Sequence, residues 1–104
     1  MAAKYEGDAF KDRFGPWAVI AGGSDGIGSA FAEELASRGL ALALIARDAA
    51  KLAAKATEIH ERYGVEVRSA SIDLTDAEAA IRVGEFTRDL DVGLFIYNAG
   101  SGRN

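Results

Sequence analysis

Gly22, Gly26 and Gly28 stand in the stretch "WAVIAGGSDGIGSAF", Trp17 to Phe31, where an apolar run leads into a loop with four glycines in seven positions. Glycine permits a tight turn and lets another molecule come close to the main chain. A helix opening near Gly26 would aim free N–H groups and the positive end of its dipole at an anion. The spacing Gly22-x-x-x-Gly26-x-Gly28 is not that of a triphosphate loop, because no Lys-Ser or Lys-Thr follows the last glycine. Nor is it the six-residue dinucleotide fingerprint, since counting from Gly26 puts Phe31 where the third glycine belongs. The chemistry it suits is the holding of a pyrophosphate. The plain alternative is a glycine-rich turn between a strand and a helix with no ligand.

Arg47 is the second residue of chemical interest. In a nucleotide-binding α/β fold, an acidic residue about 20 positions past the glycines accepts hydrogen bonds from ribose hydroxyls and repels a 2′-phosphate. Here Ala46 and Arg47 occupy that place, just before a helix whose dipole favours negative charge. A 2′-phosphate would compensate the guanidinium and could be held by its fork, so the reading is NADP over NAD. Otherwise Arg47 is solvated, or pairs with Asp48, the expected N-cap of the second helix.

Elements that would position these groups are written in the apolar pattern. Short apolar runs, Trp17 to Ala21, Ala41 to Ala46, Val65 to Ile72 and Val92 to Tyr97, alternate with stretches of helical composition. Strand alternating with helix predicts an α/β fold, a Rossmann-type doubly wound parallel sheet of four strands with three crossover helices. The first, second and fourth runs are apolar at nearly every position, as in strands covered on both faces, whereas "VEVRSASI" alternates and suits an edge. Right-handed crossovers predict a strand order of 3-2-1-4, which leaves the apolar fourth strand at an open edge. Gly39 and Gly64 suit the left-handed residue after a helix, and Thr75 with Glu78 predicts a capping box opening the third.

Composition bounds the rest. The 104 residues make one domain at most, read as an N-terminal extension over 1–14 and a nucleotide-binding half-domain over 15–104. A formal net charge of −4 with no basic stripe argues against a nucleic-acid partner. The absence of cysteine excludes a disulfide framework, a thiolate nucleophile and a cysteine-ligated metal, and fits the cytoplasm. The first residues resemble neither a signal nor a transit peptide, and no stretch reaches membrane-spanning length.

With "AGGSDGIG", "LIARDAAKL", "IDL" and "YNAG" in this order, the chain from about Gly15 to Gly102 resembles the N-terminal half of the short-chain dehydrogenase/reductase family, of the NADP-preferring kind. Its short strings are most similar to the branch containing 3-oxoacyl-CoA reductases and 17β-hydroxysteroid dehydrogenases. The resemblance implies that Gly22, Gly26 and Gly28 shape the pyrophosphate loop, lined by Ser24 and the backbone of Ile27. It implies that Arg47 meets the 2′-phosphate, and that Asp73 and Leu74 flank the adenine, the aspartate reaching its amino group. Asn98 would stabilise the central sheet, while the backbone of Ala99 and Gly100 passes the cofactor's ribose.

Three positions depart from the family pattern. Ala21 stands where a threonine is usual, Asp25 where NADP-binding members often carry a basic residue, and Tyr97 where the first asparagine of "NNAG" is usual. The family's reacting groups, a serine and a Tyr-x-x-x-Lys pair, belong to its second half and are expected beyond these residues. Tyr63 has no lysine four positions on, and His60, between Glu58 and Glu61, reads as a surface residue. The expectation is therefore the NADP(H)-binding portion of an oxidoreductase that exchanges hydride with a carbonyl or alcohol substrate, inactive by itself and homo-oligomeric in its complete form. A non-catalytic NADP-binding module and a Rossmann-like methyltransferase are the alternatives; Arg47 speaks against the latter, which would use an acidic residue there.

Overall fold

The alternating pattern folds into seven elements in the computed structural model, which describes residues 13–22 and 26–97. They are β1 (Trp17–Ala21), α1 (Gly26–Ser37), β2 (Ala41–Ala46), α2 (Ala49–Tyr63), β3 (Val67–Ser71), α3 (Ala79–Thr87) and β4 (Val92–Tyr97). All strand pairs are parallel, in the order β3-β2-β1-β4. The two central strands are buried on both faces, from Ala18 to Ala21 and from Leu42 to Ile45.

Strand side chains alternate between two apolar clusters, and this fixes the layers. Ala18, Ile20, Leu42 and Leu44 pack on Ala32, Leu35 and Ala36 of α1 and on Leu52, Ala56 and Ile59 of α2. On the opposite face Val19, Ala43 and Ile45 meet Ile72 and Ala79, flanked by Val83 and Phe86 of α3 and by Leu90. Each fully buried valine, leucine or isoleucine here contributes about 1.5–3 kcal/mol of transfer free energy. The chain steps outward through β2 and β3 with its helices on one face, then returns past β1 by α3 on the other, as right-handed crossovers require.

Helix ends follow the expected chemistry in two of three cases. Gly39 and Gly64 take positive φ of 92° and 73°, and the Gly64 N–H donates to the His60 carbonyl at 2.9 Å. Asp48 caps α2, its Oδ1 accepting the Lys51 N–H at 3.1 Å. The third case is a correction, for no Thr75–Glu78 capping box forms. Asp73 Oδ1 takes both the Thr75 N–H at 3.0 Å and its hydroxyl at 2.7 Å. The Glu78 N–H goes to Asp76 Oδ1 at 2.8 Å. An aspartate two residues upstream captures the threonine in a local turn, and α3 opens only at Ala79 without a side-chain cap. β3 is also shorter than the apolar run Val65 to Ile72, because Ile72 is buried beyond the end of the strand and Val65 packs before its start.

β4 is the edge strand that the strand order predicts. Leu94 and Ile96 are half-buried against the α1–α2 cluster, whereas Phe95 is 53% and Tyr97 61% exposed. The register slips at its start, from Trp17 opposite Val92 to Ala18 opposite Leu94, so Gly93 is an inserted residue. A Cβ on Gly93 would lie 2.7 Å from the carbonyl carbon and oxygen of Phe14. Only glycine admits the chain entering β1 at this point, and the half-buried Phe14 packs its ring on the α1–α2 cluster. Among the described residues no helix is long and apolar enough to cross a membrane.

Candidate functional site

A parallel sheet places all its carboxyl ends along one edge, and a ligand crevice opens where the strand order reverses, here between β1 and β4. Tyr97, Ala21, Ile45 and Ala70 form the last full row of the sheet beneath that crevice. Gly22 follows β1, Arg47 follows β2 and Asp73 lies two residues past β3, so three groups distant in sequence share one edge.

Gly22 turns with φ 88°. Its N–H donates to the Ile45 carbonyl at 2.6 Å, which ties the start of the loop to β2. This bond fixes Gly22 although the buried Ala21 before it offers no hydroxyl. Gly26 opens α1 with φ 52°, and a Cβ there would meet nothing within 4 Å. The backbone demands glycine, and no described residue fills the space beside it. Gly28 is buried within α1. Ile27 is 66% exposed. No acidic side chain lies in the first turn of α1, and Asp25, which precedes it, lies outside the described residues.

Arg47 is exposed, and its guanidinium makes no hydrogen bond or ion pair with any described residue. The suggested pairing with Asp48 is not seen, since that carboxylate is the cap of α2. The main chain of Arg47 is by contrast held, its carbonyl accepting the Ser71 hydroxyl at 2.7 Å.

Asp73 is exposed and its carboxyl is held below the ordinary aspartate range, first by the Thr75 hydroxyl, then by the Thr75 N–H against a small opposing cost of burial, and last by the charge of Arg47. Both Thr75 bonds use Oδ1, so Oδ2 has no hydrogen-bond partner among the described residues and is available to an outside donor such as an adenine amino group. Leu74 is half-buried and packs against the α3 cluster, which supports the turn from below. Ser24, Asn98, Ala99 and Gly100 lie outside the described residues.

Ser71 is a contributor that sequence reasoning did not single out. Its signal was faint, a polar residue at the end of an alternating strand. His60 is exposed and structural, its Nδ1–H donating to the Val65 carbonyl at 2.8 Å after the end of α2. No buried polar side chain occurs among the described residues, so the available chemistry is confined to the carboxyl edge and the outer helix faces.

A doubly wound sheet with a glycine turn after β1 and an arginine after β2 defines a nucleotide-binding α/β domain. The chain belongs to the short-chain dehydrogenase family, whose model matches residues 16–104. It is 41% identical over 90 residues to the 7beta-hydroxysteroid dehydrogenase of Clostridium sardiniense, covering 86% of this chain and 34% of that protein. It is 38% identical over 86 residues to the very-long-chain 3-oxoacyl-CoA reductase of Bos taurus, covering 83% and 28%. Among solved structures, L-sorbose reductase from Gluconobacter frateurii complexed with NADPH and L-sorbose superposes with a TM-score of 0.80 at 35% identity, over 88% of this chain and 35% of that one. The chain thus spans about a third of the length of the relatives it matches. Family membership sets the methyltransferase reading aside.

Proposed function

We propose that this chain binds NADP(H), in preference to NAD(H), as the cofactor-holding part of a dehydrogenase or reductase acting on a small carbonyl or alcohol. The observation that carries the reading is Arg47: an exposed guanidinium beside the N-cap of α2, its main chain fixed, its side chain in no hydrogen bond or ion pair with any described residue and acting on Asp73 only through its charge. A 2′-phosphate supplies the missing anion. The turn at Gly22 and Gly26 and the N-terminal end of α1 receive the pyrophosphate, and Asp73 Oδ2 accepts from the adenine amino group. When bound, the nicotinamide supplies the hydride exchanged with substrate. The NADPH held by the L-sorbose reductase neighbour supports the choice of cofactor. Assembly of the complete protein as a homo-oligomer belongs to the same proposal.

Titration of the chain at low concentration with NADPH and with NADH, followed by nicotinamide fluorescence, tests the reading. A charge-assisted contact predicts tighter binding of NADPH by about tenfold or more. Equal affinities would overturn it.

A further inference from the structure

We infer that Ser71 is a positioning residue for the arginine of the proposed 2′-phosphate site, and through it sets the discrimination between NADP and NAD. The inference rests on the function proposed above and adds a residue to it.

The ladder between β2 and β3 ends with Ala46 opposite Ser71. One backbone bond follows, from the Ile72 N–H to the Ala46 carbonyl at 3.0 Å. Beyond it β3 turns away toward Asp73, and among the described residues no backbone N–H donates to the carbonyl of Arg47. The Ser71 side chain takes the vacant place, its hydroxyl donating to that carbonyl at 2.7 Å across 24 residues of sequence. One residue further on, Asp48 is fixed as the N-cap of α2 by its bond to Lys51. Arg47 is therefore held in its main chain from both sides while its guanidinium makes no hydrogen bond or ion pair with any described residue. A main chain fixed in this way loses less freedom when the guanidinium closes on an anion.

Ser71 is exposed, so replacing it with alanine removes the hydroxyl without opening a cavity. Ser71→Ala should weaken NADP binding about three- to tenfold, the range expected for one hydrogen bond, and leave NAD within about twofold. Ser71→Thr, which keeps the hydroxyl, should restore the NADP affinity. In an Arg47→Ala background, Ser71→Ala should have no further effect on either cofactor. Binding is read by fluorescence titration of NADPH and NADH, with far-ultraviolet circular dichroism to confirm the fold. Equal losses for both cofactors, or none, would overturn the role of Ser71 alone. If Arg47→Ala leaves NADP binding unchanged, the 2′-phosphate reading itself falls and the role of Ser71 falls with it.

Discussion

The Tyr63 hydroxyl at the end of α2 donates to the Glu33 carboxylate on α1 at 3.1 Å. The same carboxylate accepts from Lys55 at 3.2 Å and from Arg62 at 2.7 Å, so one glutamate joins the two helices that cover the larger core cluster. The hydrogen bond from Lys55 is the main cause that holds Glu33 below the ordinary glutamate value of 4.5, against an opposing cost of burial and with help from Tyr63 and the two cations. A depressed folded-state value means that this stabilisation is fully present above the unfolded value and is lost as pH falls through the folded one. Glu33→Gln should therefore cost about 1 kcal/mol near neutrality, and progressively less in acid. Urea unfolding of both proteins at neutral pH and at about pH 3 checks this; a difference independent of pH would refute it.

Gly26→Val should weaken both NADP and NAD. With φ 52° the backbone is unfavourable for a β-branched residue, at a cost of about 1–2 kcal/mol. The added methyl groups would point into space that no described residue fills and that the proposed function gives to the pyrophosphate. A folded variant with unchanged affinity for both cofactors would dispose of the phosphate-loop reading.

Gly93→Ala should destabilise the chain by about 1–3 kcal/mol, because the new Cβ meets backbone atoms of Phe14 and Gly15 that cannot swing aside as a side chain could. Thermal unfolding followed by Trp17 fluorescence measures it. An unaltered transition would show that the segment before β1 is free to move.

β4 exposes Val92, Phe95 and Tyr97, and among the described residues no strand pairs with its outer side. Such an edge invites pairing with another chain. The 104 residues expressed by themselves should self-associate as concentration rises, and Phe95→Lys should reduce this. Sedimentation over a range of concentrations decides the matter: a monomer throughout would sink the edge argument.

Much of this was legible because the informative residues act locally. The runs Trp17 to Ala21, Ala41 to Ala46 and Val92 to Tyr97 coincide with β1, β2 and β4. Gly39, Gly64 and Asp48 announce helix ends through the conformations and hydrogen bonds they favour. Thr75 and Glu78 misled because their spacing matched a capping box while the decisive residue, Asp73, stood outside it. Two features escaped for another reason, since the hydroxyl of Ser71 on Arg47 and the backbone of Phe14 on Gly93 join segments far apart in the chain. For Gly93 a trace was present, a lone glycine in a bulky strand, which is the mark of a bulge or a close backbone approach.

The asymmetry of the two apolar clusters bears on the order of assembly. From β1 to β3 each strand and helix meets its neighbour in sequence, and the cluster under α1 and α2 is the larger one. β4 reaches β1 only after α3 has carried the chain back across the sheet, over the smaller cluster. Contacts of longer range form at greater entropic cost, so β4 and α3 are expected to dock last and to open first. Native-state hydrogen exchange should find the slowest amides in β2 and the fastest among the helices in α3; the reverse order would contradict it. Because the crevice lies between β1 and β4, the proposed binding site is completed only by that final docking step, and a bound nucleotide would act as a latch on the least stable seam of the fold.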